Sequence, residues 1–192
     1  MFENIFVHKT AIIDEGCTIG SGSKIWHFSH IMAGAQIGND CTVGQNVFIG
    51  DGVRMGNRVK VQNSVSLYGG LEIEDDVFLG PSCVFTNIKT PRAFINRHDK
   101  FVSTFIGKGA SIGANATIIC GVRIDNYAMI GAGAVVSKSV PAHALVIGVP
   151  AVQKGWVCIC GMVLPDTSPE EVMQCAECRA QYKVKGSAIL VL

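Results

Sequence analysis

The chain has 192 residues, with 16 Lys and Arg against 15 Asp and Glu, a net charge of +1, and 48% hydrophobic residues. That length fits one domain with at most a small appendage, and the apolar share supports a sizeable core. The near-neutral balance leaves no field to hold nucleic acid or an anionic membrane surface.

The start, MFENIFVHKTAII, lacks the basic and apolar arrangement of a signal peptide. No long apolar run is present, so no membrane span is expected. Eight cysteines spread along a chain of this length do not read as a secreted disulfide framework. A cytoplasmic protein is expected.

From Val7 onward an apolar residue returns every six positions, through Ile13, Ile19, Ile25 and on to Phe85, fourteen in succession. The series resumes at Ile106 and runs to Val136. The fifth place of each hexad is small or β-branched, as at Ala11, Cys17, Ser23, Ser29 and Cys41. The second place is Gly nine times, and Gly, Asn or Asp often fill the fourth, where glycine takes positive φ without a steric penalty. Six residues are too few for a helix plus a strand, and β-branched content favours strands. Each hexad is therefore one strand and one corner, with a large and a small residue facing a narrow interior.

This pattern resembles the hexapeptide-repeat acyltransferases. The resemblance implies an all-β chain folded as a left-handed parallel β-helix, three hexads to a coil. Eighteen hexads give about six coils, roughly 29 Å tall at strand spacing. The β-helix is expected over residues 1–155 and a Cys-rich tail over 156–192. Cys17, Cys41 and Cys83 fall at the small inward place and read as core.

Residues one coil apart lie one above another, so His27, Gln45 and Asn63 form a vertical polar stripe pointing outward. His30, Asn46, Lys60, Gln62 and Tyr68 lie nearby. Uncharged amides and imidazoles suit a half-buried place where a polar ligand is read by hydrogen bonds. The repeat then breaks for a loop at 86–105, FTNIKTPRAFINRHDKFVST from Phe85 to Thr104. Long loops outside a repeat are usually functional or disordered, and Phe94, Ile95 and Phe101 lead us to expect this one to pack on something. Asn87 stands where the chain leaves the coil, around a corner from the stripe. Arg92 suits a carboxylate or phosphate. The later coils are rich in Gly and Ala, with Lys108, Arg123 and Lys138 placed to meet phosphates.

In the tail, Cys158 and Cys160 form C-x-C and Cys175 and Cys178 form C-x-x-C. Two close pairs of thiolates suit a tetrahedral zinc, here structural because four cysteines leave no open position.

The strings IWHFSHIMAGAQIG, GQNVFIG, VKVQNSVSLYGG, EDDVFLGPSCVFTN and PRA closely resemble the UDP-2-acetamido-3-amino-2,3-dideoxy-glucuronate N-acetyltransferases of lipopolysaccharide O-antigen sugar synthesis. That resemblance runs from about residue 5 to 156. It implies a homotrimer with active sites between adjacent β-helices and a UDP-amino sugar as acceptor. Acetyl-CoA would lie along the later coils near Lys108, Ala110, Arg123, Ala128 and Lys138. It assigns Asn87 to orient the sugar amine, with the stripe residues and Arg92 binding the substrate. A different nucleotide amino sugar, such as a 4-amino sugar, is the alternative acceptor, and a β-helix scaffold the non-enzymatic one. His8, His27, His30, His98 and His143 lack the close pair that a β-helix carbonic anhydrase needs.

Overall fold

The computed structural model describes residues 4–166, 171–186 and 188–192. From Phe6 to Val136 the backbone alternates short strands with tight corners, and the strands gather into three parallel sheets, the faces of a triangular prism. The first face starts at Phe6–Val7 and rises through Lys24–Ile25, Thr42–Val43, Lys60–Val61 and Phe78–Leu79 to Ser111–Ile112 and Met129–Ile130. The second starts at Ile12–Ile13 and rises through His30–Ile31, Phe48–Ile49, Ser66–Leu67 and Val84–Phe85 to Thr117–Ile118 and Val135–Val136. The third starts at Thr18–Ile19 and ends at Arg123–Ile124. These strands make six complete coils and begin a seventh, as the hexad count predicts. Among the described residues no helix is long and apolar enough to cross a membrane.

Register explains the repeat. Lys24 pairs with Thr42 and Lys60 with Phe78, each partner three hexads further along the chain. The aliphatic places fill the interior: Ile25, Ile49, Leu67, Ile112 and Ile130 are buried, and the fifth-place Ala110, Ala116, Ala128 and Ala134 lie beside them. Cys41 and Cys83 are in this core, and burial pushes the Cys83 thiol up to about 12. Buried Ser29 at the same place is satisfied twice. Its hydroxyl donates to the Gly44 carbonyl at 2.7 Å and accepts from the Val47 N–H at 3.2 Å.

The glycines fall into two kinds. Those at the fourth place sit in the left-handed region, as at Gly34 with φ 78°, and Phe28, Asn46, Arg58 and Tyr127 adopt the same corner at φ 56–58°. Those at the second place have no positive φ. A Cβ on Gly38 would lie 2.5 Å from the Gly56 carbonyl of the next coil, so close stacking, rather than the turn, excludes a side chain there. Third-place amides and carboxylates stitch the corners: Asn57 Oδ1 accepts the Asn39 N–H at 2.8 Å, and Asp75 Oδ1 accepts the Asn57 N–H at 2.8 Å.

The break is an insertion. Leu71 pairs with Thr104, where an unbroken repeat would bring Lys89, and Phe78 pairs with Ser111, where it would bring Asn96. The extra length is looped out of the coil. Strands resume in register on both sides, and the Val102 N–H donates to the Asn87 carbonyl at 2.9 Å to close the loop's base. Thr104 already lies in a strand, one residue inside the expected loop boundary. Ile95 and Phe101 are exposed and Phe94 is 84% exposed. Phe101 lies near Gly69, and Val102 and Lys89 lie near Gly121, so the base of the loop packs on the prism while Phe94 is left exposed.

The top of the prism is closed by Ala144–Ile147, paired antiparallel with Val152–Trp156. Beyond it, Val172–Gln174, Gln181–Lys185 and Ala188–Val191 form a three-stranded antiparallel sheet with its own small core of Leu164, Met173, Tyr182 and Ile189.

Replacing Ser29 with Ala leaves the Val47 N–H and the Gly44 carbonyl short of a partner inside the prism. The expected cost is about 1–3 kcal/mol, read as a lower midpoint in chemical or thermal unfolding.

Candidate functional site

The corner between the first and second faces carries the polar stripe. His27, Gln45 and Asn63 stand above one another there, with His27 half-buried and the other two exposed. Together with Trp26, Thr42 and Gln62 they line a groove of about 320 Å³. Asn63 is partly committed to the fold, because its Oδ1 accepts the Gln45 N–H at 2.8 Å. Its amide nitrogen and the second lone pair of that oxygen remain to meet a ligand. Asn46, at φ 56°, turns the same corner.

The other expected substrate residues are more dispersed. His30 projects from the second face, its Nε2 3.2 Å from both oxygens of Asp14 and its ring edge-on to Phe48 at 5.9 Å. Phe48 in turn packs against Tyr68 at 5.8 Å. Lys60 lies on the first face, beside Thr42 in the sheet ladder. Asp14 escaped the sequence reading because its separation from His30 falls short of a full coil. His8 did too: its ring stacks on His27 at 3.5 Å, and its Nδ1 lies 2.9 Å from the Thr10 hydroxyl. Desolvation, with His27 alongside, lowers the His8 pKa.

Asn87 is half-buried at the base of the insertion, on the corner between the second and third faces. Among the described residues its side-chain amide makes no hydrogen bond. It follows Val84–Phe85, three strand steps above His30–Ile31, which is about 14 Å along the axis. A single amine cannot touch both Asn87 and His30 of one chain. Arg92 is exposed in the insertion and donates to its neighbour's carbonyl, Pro91, at 3.1 Å. Arg97 joins it around a cavity of the loop, with a buried Nε that has no partner among the described residues. Sequence reasoning passed over Arg97 because nothing in the repeat marks it.

The expected coenzyme residues divide. Lys108 is exposed at the corner between the third and first faces, its N–H donating to Glu74 Oε2 at 2.8 Å. Lys138 lies on the corner above Asn87 and lines a groove of about 290 Å³ with Ser137, Ser139, Pro150 and Gln153. Arg123 projects from the third face, its guanidinium 3.7 Å over the Phe105 ring and its Nε 2.6 Å from Asp125. Ala110 and Ala128 are corrected. They are 0% and 1% exposed inside the prism; their N–H groups donate within their own corners, to the Gly107 and Asp125 carbonyls, and their carbonyls accept from the Phe78 and Ser111 N–H groups of the preceding coil. They can shape a coenzyme site only by keeping the interior narrow.

In the tail, the Sγ atoms of Cys158, Cys160, Cys175 and Cys178 all lie within 4.8 Å of one another. Cys158 and Cys178 are 3.3 Å apart, and Cys160 and Cys175 are 3.6 Å apart. Four sulfurs at about 2.3 Å from one zinc sit about 3.8 Å apart, so the quartet has the size of a tetrahedral site. The backbone N–H of Cys178, aided by that of Glu177, holds the Cys175 thiol down at about 6, so a thiolate is favoured there. The cluster is tied to the prism. The Tyr182 hydroxyl contacts Cys158 Sγ at 3.1 Å and accepts the Ile159 N–H at 2.9 Å. Buried His143, turning the last corner at φ 61°, sits between Tyr127 and Tyr182 with Nδ1 2.9 Å from the Val157 carbonyl.

A family described as bacterial transferase hexapeptide (six repeats) matches residues 16–51 and 103–138, the two blocks on either side of the insertion. Over 175 residues the chain is 43% identical to the dTDP-3-amino-3,6-dideoxy-alpha-D-galactopyranose 3-N-acetyltransferase of Aneurinibacillus thermoaerophilus, covering 91% of this chain and 90% of that protein. Two solved structures share the fold. One is a maltose O-acetyltransferase from Clostridium difficile, with TM-score 0.55 and 24% identity over 63% of this chain and 68% of that one. The other is the acetyltransferase domain of PglB from Neisseria gonorrhoeae in complex with acetyl coenzyme A, with TM-score 0.54 and 18% identity over 79% of this chain and 58% of that one.

Burial lowers the His143 pKa below its ordinary value, so the unfolded chain binds the proton more readily. Stability is therefore full above about pH 6.5 and declines as the pH falls toward the folded pKa. Asn tolerates the left-handed corner. We expect His143→Asn to flatten the fall in melting temperature between about pH 7.5 and pH 5.5, with His8 supplying what slope remains.

Proposed function

We propose that this chain, which belongs to the bacterial hexapeptide-repeat transferases, moves the acetyl group of acetyl-CoA onto an amino group of a nucleotide-linked amino sugar. The observation that carries this reading is the pairing of an uncommitted Asn87 amide, at the foot of an insertion, with a polar stripe three coils long that stands lower on the adjacent corner. The relative at 43% identity, named for a 3-N-acetyl transfer, supports the amine at C3 as the acceptor.

The chemistry asks little of an acid or base. The neutral sugar amine attacks the thioester carbonyl, a C–N bond forms, and the C–S bond breaks. The departing CoA sulfur takes up the proton that the amine gives up. Placing both reactants together contributes about 7–11 kcal/mol. The Asn87 carbonyl oxygen accepts an N–H of the amine and aims its lone pair, while the distant histidines handle the nucleotide end.

The finer acceptor we propose is UDP-2-acetamido-3-amino-2,3-dideoxy-glucuronic acid, in lipopolysaccharide O-antigen sugar synthesis. Arg92 and Arg97 in the insertion suit its carboxylate, since a guanidinium pairs bidentately with such a group. The relative's acceptor carries a methyl at that carbon, so a 3-amino-3,6-dideoxy sugar is the second reading, and the carboxylate separates them.

We further propose a homotrimer with sites between copies. Lys108, Lys138 and the stripe stand on three different corners of one prism, and exposed Phe28, Phe78 and Phe94 need cover. Acetyl-CoA then lies along the later coils, near Lys108, Arg123 and Lys138. The four tail cysteines would hold a structural zinc, which when bound would cross-link the segment 156–192 onto the end of the prism. Eight free cysteines fit a reducing, cytoplasmic setting.

Asn87→Ala is expected to lower kcat for a 3-amino nucleotide sugar about 100-fold, the scale of a lost alignment, with KM for acetyl-CoA unchanged. His27→Asn is expected to raise KM for the sugar nucleotide and spare kcat. A near-normal kcat for Asn87→Ala, or loss of kcat alone for His27→Asn, overturns these roles. Metal analysis of the purified chain should find one zinc per chain, falling toward zero in Cys175→Ser.

A further inference from the structure

Attack of an amine on a thioester puts negative charge on the acyl oxygen, and a donor has to meet that charge. The backbone just above Asn87 has its donors committed. Register sets Phe85 beneath Ile118, so Asn87 stands beneath Cys120, one coil or about 4.8 Å lower. At that height the Ile119 N–H donates to the Val136 carbonyl at 2.9 Å, the Cys120 N–H to Thr86 Oγ1 at 2.9 Å, and the Gly121 N–H to Thr104 Oγ1 at 3.2 Å. The Cys120 side chain is buried. A donor for an oxyanion on this corner therefore comes from a side chain.

Lys89 is placed to be that side chain. It leaves the prism two residues after Asn87, yet its far end folds back onto the corner. A Cβ on Gly121 would stand 3.2 Å from Lys89 Cε and 3.3 Å from Lys89 Nζ. Val102 closes in from the returning leg of the insertion, its Cγ1 3.0 Å from the same point, and its N–H on the Asn87 carbonyl ties the two legs together. Gly121, at φ 86°, has no side chain to push the lysine away. Among the described residues the Lys89 ammonium makes no hydrogen bond or ion pair. Lys138, the next cation up the same corner, stands a further coil above Cys120.

We propose that Lys89 is a catalytic residue, whose ammonium donates to the acyl oxygen while Asn87 holds the attacking amine one coil below. The amine nitrogen bonds to the acyl carbon, and the carbonyl π pair moves onto oxygen, where Lys89 meets it with a charge-assisted hydrogen bond. The pair then returns, the C–S bond breaks, and the proton released by nitrogen leaves on sulfur. Lys89 keeps its own proton throughout. A coenzyme phosphate is the other anion that a free lysine takes. The pantetheine arm separates those phosphates from the thioester, and it is the thioester that has to come within reach of Asn87. The proposal rests on the transferase reading above and adds to it a residue that the insertion delivers.

The test is steady-state kinetics of the full chain with a 3-amino nucleotide sugar and two donors, acetyl-CoA and S-acetyl-N-acetylcysteamine, a thioester without phosphates. Lys89→Met keeps an unbranched apolar stem on Gly121 and removes the charge. It is expected to lower kcat with acetyl-CoA, and kcat/KM with the truncated thioester, each about 100-fold. KM for the sugar and the melting temperature should not change. Lys89→Arg, which keeps a charged donor, should recover part of the loss. A loss confined to acetyl-CoA and read in its KM would make Lys89 a phosphate contact and overturn the proposal. A loss in both variants that tracks a fallen melting temperature would reduce Lys89 to packing and overturn it as well. Normal kcat in Lys89→Met beside an active wild type would remove Lys89 alone and leave the transferase reading intact. A wild-type chain that acetylates no amino sugar would overturn both.

Discussion

Everything in this molecule depends on parallel stacking at a register of three hexads. Each coil bonds the next edge to edge, so every residue lies above its counterpart one coil earlier. That constraint fixes which side chains enter the prism, why a Cβ on Gly38 would meet the next carbonyl, and why an amide such as Asn57 can cap the coil below. It also turns a sequence interval into a surface column. His27, Gln45 and Asn63 share a corner for the same reason that Ile25, Val43 and Val61 share the core. The long insertion is tolerated because it leaves from a corner and returns in register, so Leu71 still meets a strand at Thr104.

This quasi-one-dimensional order made the fold unusually legible. The period alone gives the strands, the inward residues, the number of coils and the place of the break. What stayed hidden was whatever departs from the period. Asp14 reaches His30 from short of a full coil away, His8 stacks on His27 from just beyond one, and Arg97 takes its position from the loop alone. Ala110 and Ala128 were misplaced for the opposite reason. The resemblance set them beside the coenzyme, whereas the period puts them at the fifth place of a hexad, which is small because it faces the narrow interior. The second-place glycines carry the same lesson, since their cause is contact between coils.

The candidate groups stand at successive heights along the axis, an order that fits the extended substrate proposed for them. The polar groove occupies the second to fourth coils, Asn87 the fifth, and Lys138 the corner near the top. On the proposed reading, a nucleotide sugar and an acyl donor would meet along this axis, between the proposed copies. The tail closes that end. His143, Trp156 and Tyr182 join the small core around the cysteine quartet to the last coil, and the same strand, Val152–Trp156, begins in the wall of the Lys138 groove.

The central claim is transfer of an acetyl group to a sugar amine at C3, and release of free CoA thiol from acetyl-CoA tests it most directly. The full-length protein would be offered a UDP-3-amino uronic acid, the dTDP-linked 3-amino-3,6-dideoxy sugar and a UDP-4-amino sugar in parallel. The account predicts rapid thiol release with a 3-amino acceptor and background release with the 4-amino sugar. Release with the 4-amino sugar alone, or none with any acceptor, would contradict it.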